Sequence, residues 1–209
     1  SSDLDASAAY SQGLDFDNPP SYADFKAAYG EKADDQYKSF VKIQAVAPAI
    51  REFATATPEE RQEILSKFQP AKDGTAGEGF KQDSQLYQHL TSVGVGLLKQ
   101  QQTDPAAYVT KYSPVVQRAF ANAQEEGTPE AYQVYATTTL AEQQRLGVAQ
   151  PKLLPDAAAD QFAAQFNQQV NGGENAATLI EQQAQLWGPN FSAVLQQVGN
   201  KLPAEAQVI

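Results

Sequence analysis

Apolar side chains recur along this chain at intervals of three and four, and no stretch sustains alternation with β-branched residues. Over residues 80–102, Leu86, Leu90, Val93 and Leu97 fall at i, i+4, i+7 and i+11, a single helical stripe. Gly94 and Gly96 weaken that helix but permit close approach of a neighbour. Tyr37, Phe40, Val41 and Ile43 mark a helix over about 31–54, which Pro48 should kink or split. Ile64, Leu65 and Phe68 mark the next, ending before Pro70. Beyond residue 155 three more follow. Ala159, Phe162, Ala163, Phe166 and Val170 share one face, and Asn171-Gly172-Gly173 ends it. Leu179, Ile180, Ala184 and Trp187 share the next, closed by Gly188. Phe191, Val194, Leu195 and Val198 share the last, and Pro203 opens a further turn. The pattern predicts an all-α fold, an irregular multi-helix bundle of short capped helices with no sheet.

Helix starts are written in side chains that can cap. Ser21 with Asp24, and Thr57-Pro58-Glu59-Glu60, read as capping boxes. Thr103-Asp104-Pro105, Ser113-Pro114 and Thr128-Pro129 each place a capping residue before a proline, which suits the first helical turn. The helix from Thr128 carries Glu130 at its start and Arg145 in its last turn, and Gly147 stops it. Tyr132, Ala136 and Leu140 lie on one side of it; Val134, Tyr135, Thr138 and Ala141 lie on another. A helix apolar on more than one face belongs at the centre of its domain. Pro151 and Pro155 then keep a non-helical joint.

This punctuation suggests three parts. Residues 1–20 hold Asp3, Asp5, Asp15 and Asp17 with no basic residue and break at Asn18-Pro19-Pro20, an acidic, poorly anchored arm. Residues 21–154 form the main helical domain, with a flexible loop at 71–79, and 155–209 form a C-terminal helical subdomain.

Composition narrows the chemistry. The net charge is −10, from 15 Lys and Arg against 25 Asp and Glu, so no direct nucleic-acid binding is expected: a phosphate backbone needs clustered cations. An anionic membrane surface is disfavoured for the same reason. No apolar run approaches the roughly 20 residues of a transmembrane segment. With 0 cysteines there is no disulfide, zinc thiolate or thiol nucleophile. With 0 methionines the chain does not begin at an initiation codon, which points to a fragment truncated at its apolar C-terminal end.

Motifs with chemical potential fail on inspection. His89, the 1 histidine, reads as a polar residue on the 80–102 helix. Gly74 to Lys81 departs from a phosphate-binding loop, since Phe80 stands where the lysine should be. Asp15-Phe16-Asp17-Asn18 lacks the glycine and distal glutamate of a calcium loop. The glutamates sit at helix starts or on solvated faces, none where an apolar pocket would raise its pKa for glycosidic acid catalysis. The reading is therefore no catalytic residues, no metal and no cofactor. Tyr108, Tyr112, Tyr132, Tyr135 and Phe120 could stack a sugar or base, but at helical spacing they read as core. Gln100–Gln102, Gln143, Gln144, Gln168 and Gln169 read as exposed helix faces.

One resemblance suggests a setting. Ala141-Glu142-Gln143-Gln144-Arg145-Leu146-Gly147-Val148 is followed by Leu153-Leu154-Pro155 and a helix ending Ala163-Ala164-Gln165-Phe166. Together they resemble a segment of the very large internal virion proteins of tailed phages and prophages, long chains that often include a lytic transglycosylase domain. Asp104 to Val109, Ser113 to Val116 and the ending from Trp187 to Ile209 are similar to the same helical region, so the likeness spans mainly 104–209. It carries no catalytic residue. It implies a non-enzymatic structural or interaction module, virion-associated, partnering other virion proteins or itself. Ejection through a tail would require refolding, and short, locally capped helices have the low contact order that makes refolding fast. The alternatives are a cell-wall-degrading domain of such a chain, or a bacterial helical adaptor or periplasmic binding module unrelated to phage. By residue type, Tyr135, Phe166, Trp187 and Phe191 are the expected interface anchors.

Overall fold

The structure, a computed structural model, describes residues 2–69 and 78–207. Among these the fold is all-α: helices joined by short turns and three 3₁₀ turns, without a strand. The glycine-rich 71–79 loop falls almost wholly outside the described residues. The chain divides into two compact units, residues 1–97 and 98–209.

The first unit contains α1 (Ser2–Ser11), α2 (Tyr22–Tyr29), α3 (Ala33–Ala54), α4 (Pro58–Phe68) and most of α5 (Glu78–Thr103). The expected capping boxes are present at Ser21/Asp24 and Thr57/Glu60. The acidic N-terminal arm is a correction. Asp3 and Asp5 lie in the first turn of α1, where the helix dipole favours anions, and Ala6 and Tyr10, one turn apart, are buried against α3. Tyr10 meets Phe40 edge-on at 5.8 Å, and Phe40 lies 5.2 Å from Phe25, so the segment is part of the core.

Pro48 does not split α3, which runs unbroken from Ala33 to Ala54. It sits on an exposed face, where water can satisfy the carbonyl that the missing N–H leaves free. The C-terminus of α3 is closed by the buried Arg61, which donates to the carbonyls of Phe53 (3.0 Å) and Ala54 (3.3 Å). Gly94 of α5 provides the anticipated close approach. A Cβ there would lie 2.8 Å from the Phe53 ring, whereas one at Gly96 would meet open space.

The second unit holds α6 (Pro105–Tyr112), α7 (Pro114–Glu126), α8 (Pro129–Arg145), α9 (Asp156–Asn171), α10 (Ala176–Trp187), α11 (Phe191–Val198) and α12 (Ala204–Gln207). α8 packs against α6, α7 and α10, the central place its sequence predicted. Its second apolar side is divided: Tyr135 is buried, whereas Val134 is 57% exposed and Ala141 is exposed. Of the three proline starts, Asp104 and Thr128 cap through their side chains; Ser113 does not, because it also ends α6 and its N–H bonds the Val109 carbonyl. Gly147 closes α8 at φ +83°: its N–H bonds the Gln144 carbonyl and that of Val148 the Gln143 carbonyl, a Schellman end.

The joint after α8 does not separate domains. Residues 152–156 are tied on every side within the second unit. Gln143 bonds both the N–H (2.9 Å) and the carbonyl (2.8 Å) of Lys152, and Gln197 bonds both groups of Leu154 (3.1 and 2.6 Å). The Tyr135 hydroxyl donates to the Leu153 carbonyl at 2.5 Å. Asp104 accepts from Ala107 N–H at the start of α6 and from Asp156 N–H at the start of α9. Leu153 and Leu154 are themselves buried. The expected division at 154/155 is thus replaced by one at 97/98, inside a helix, where no loop or change of composition marks it.

Candidate functional site

The second unit contains a cleft of about 360 Å³ between α7, α8, α9 and α10. Helical spacing builds each wall. Phe120, Ala123 and Gln124 come from one face of α7 at i, i+3 and i+4. Ala158, Gln161, Phe162 and Gln165 come from α9 at i, i+3, i+4 and i+7. Gln183, Leu186 and Trp187 come from α10, Tyr132 and Tyr135 from α8, and Leu154 from the pinned joint.

The aromatic rings form a connected floor. Tyr132 meets Trp187 at 4.7 Å with planes 81° apart, Tyr135 meets Trp187 at 6.4 Å, and Phe120 meets Tyr135 at 5.1 Å. Burial raises the pKa of both tyrosines above the ordinary phenol value, Tyr135 by far the more, so each phenol stays neutral at physiological pH. Trp187 is 4% exposed, and its indole Nε1 is buried without a hydrogen-bond partner among the described residues. Phe120, Tyr132 and Phe162 are half-buried, and Gln124, Gln161 and Gln165 are exposed at the rim. None of the described residues lining the cleft is Asp, Glu, Lys, Arg or His.

Acid–base groups lie elsewhere. Among the glutamates whose side chains are described, Glu78 and Glu205 not being among them, all are exposed except Glu142, which pairs with Arg145 at 2.6 Å. No group of His, Asp and Glu among the described residues is arranged to hold a metal ion. His89 is an exposed residue of α5, and Asp15 is engaged by Arg51 at 2.7 Å. No helix among the described residues is long and apolar enough to cross a membrane.

Burial corrects three of the four expected interface anchors. Tyr135, Phe166 and Trp187 are 1%, 3% and 4% exposed, and Phe191 is half-buried. An aromatic at helical spacing fills the core before it can reach a partner, the same logic that buries Tyr108 and Tyr112. Gln100, Gln102, Gln144, Gln168 and Gln169 are exposed as expected, and two of the seven differ. Gln101 and Gln143 are buried and bond main-chain groups, while Gln124, Gln161, Gln165 and Gln183, given no role by the sequence reading, line the cleft. A visible signal existed: on α9 a phenylalanine and two glutamines share one helical face, where a core face would carry aliphatic residues. Comparison with family models, with curated proteins and with solved structures finds no match for this chain.

Proposed function

We propose that this chain is a non-enzymatic helical module that acts by packing against other protein subunits, in the setting its sequence resembles, a large internal virion protein of a tailed phage. The observation that carries this reading is the placement of polar groups. The buried polar side chains Arg61, Gln101 and Gln143 hold main-chain carbonyls, and the cleft between α7, α8, α9 and α10 brings no carboxylate, imidazole or amine to bear; Glu130, beside a shallow hollow on α8, is itself exposed. Glycosidic cleavage needs a desolvated carboxylic acid beside the scissile bond. The glutamates whose side chains are described do not supply one, which favours the packing role over a cell-wall-degrading domain.

The test has two arms. Antibody against the chain should detect it in purified, nuclease-treated phage particles induced from the source organism; detection only in the free cellular fraction would overturn the virion setting. The purified protein should leave a peptidoglycan suspension turbid; clearing would overturn the non-enzymatic reading.

A further inference from the structure

We propose that the cleft between α7, α8, α9 and α10 binds an uncharged sugar ring without cleaving it, a binding activity that goes beyond the packing role and does not depend on the virion setting. Its lining is neutral, so a charged ligand would lose hydration with no counter-charge to replace it. What the lining does supply is two kinds of surface in one small space. The half-buried Phe120, Tyr132 and Phe162 give aromatic area suited to the C–H face of a pyranose, backed by the buried Trp187. The amides of Gln124, Gln161, Gln165 and Gln183 each offer donors and an acceptor, as a hydroxyl offers both.

The orphaned Trp187 Nε1 is an independent pointer. Among the described residues it is a buried donor with no acceptor, on a residue that lines the cleft, and a small shift of the indole toward the cleft would bring it to a sugar hydroxyl oxygen, an acceptor of the right kind. The volume, about 360 Å³, lies at the lower end of the roughly 300–1,000 Å³ range of small-molecule sites. An extended peptide is disfavoured by the same surface. The walls are helices that present side chains and no free strand edge, and a proline-rich peptide, poor in N–H donors, would leave most of the amide oxygens unused.

Trp187 is the 1 tryptophan of the chain, so its emission reports on this cleft without labelling. The full chain is titrated with maltotriose, cellotriose and tri-N-acetylchitotriose, with chromatographic analysis of the sugars after incubation. At least one should shift the emission saturably, with a dissociation constant on the order of 1 mM or tighter. The double variant Gln161→Ala/Gln165→Ala changes two exposed side chains and should keep the wild-type circular-dichroism melt while weakening that sugar at least tenfold. Phe162→Ala should weaken it similarly. The proposal is overturned by no saturable response to any of the three sugars, by equal affinity in the double variant, by saturation with a neutral proline-rich peptide in place of sugar, or by release of shorter sugars.

Discussion

Gln143 grips Lys152 by both main-chain groups: its amide oxygen accepts the Lys152 N–H at 2.9 Å and its amide nitrogen donates to the Lys152 carbonyl at 2.8 Å. The same nitrogen also reaches Thr139 Oγ1 at 3.0 Å, and both side chains are fully buried. Two residues nine apart in sequence thereby meet as a pair of strands would, in a protein without a described strand. Gln197 repeats the device on Leu154 from α11. A proline-bounded segment that would otherwise be a hinge becomes an internal fixture of the second unit.

Replacing Gln143 with Leu should therefore be severe. It leaves the part-buried N–H and carbonyl of Lys152 without their partner and removes a fully buried amide, and an unmade bond of this kind costs about 1–3 kcal/mol. Urea unfolding should show a loss of roughly 2–4 kcal/mol. Gln144→Ala, one residue along on the exposed side of α8, should stay within about 0.5 kcal/mol.

Asp104 is expected to behave as a cap shared by two helices. Its two carboxylate oxygens accept from Ala107 N–H at 3.2 Å and Asp156 N–H at 3.1 Å. Asp104→Ala should lose about 1–2 kcal/mol or more, since a single lost cap already costs about 1 kcal/mol. Asp104→Asn keeps one oxygen and should fall between, as read from thermal melts at matched pH.

Tyr135 makes the second unit sensitive to alkali. Burial raises its pKa above the ordinary 10.0, so the folded protein keeps the phenol protonated after an unfolded chain would ionise. Above about pH 10 the unfolded state then binds fewer protons, and stability falls as pH rises. Tyr112 and Tyr132 shift in the same direction by burial and add to the slope. Tyr135→Phe should cost about 1–2 kcal/mol at neutral pH, by freeing the Leu153 carbonyl, yet shallow the alkaline decline. Urea titrations at pH 7 to 11 separate the two effects.

Two glycines two residues apart should respond with opposite sign. At Gly94 an added methyl would crowd the Phe53 ring at 2.8 Å, and Phe53 is held from elsewhere by the Arg61 guanidinium 5.1 Å from its centroid. Overpacking costs typically about 1–3 kcal/mol, more than the roughly 1 kcal/mol that alanine gains in a helix. Gly94→Ala should destabilise the first unit, and Gly96→Ala, with nothing nearby, should stabilise it by up to about 1 kcal/mol. Circular-dichroism melts of the two variants settle the pair.

Much of this was legible in the chain. Local signals such as the Thr57/Glu60 box, the proline at Thr128-Pro129 and the stop at Gly147 act within one helical turn, and they produced the elements expected of them. What escaped was non-local. Nothing near Gln143 tells that it is buried while Gln144 is exposed, because the difference lies in a segment that returns from residue 152. The unit boundary at Leu97–Leu98 lies inside α5 and leaves no mark in composition. The acidic start misled for a related reason: its charges were conspicuous, while the residues that anchor it, Ala6 and Tyr10, were only two. The cleft was half visible. Helical spacing assigns Phe120 and Tyr132 to the core over a stacking surface; of their amide neighbours Gln124 lies on α7 itself, while Gln161, Gln165 and Gln183 come from α9 and α10, more than 25 residues beyond Tyr132.

Residues 152–156 are a fixed part of the second unit, held by side chains from α8, from α11 and from the start of α6. Hydrogen exchange measured residue by residue tests it most directly. The amides of Lys152, Leu154 and Asp156, each bonded to a side chain from another element, should exchange as slowly as those in the middle of α8 and accelerate together in Gln143→Leu. Exchange at the rate of an open loop, unchanged by that substitution, would contradict it and return the joint to the role of a hinge.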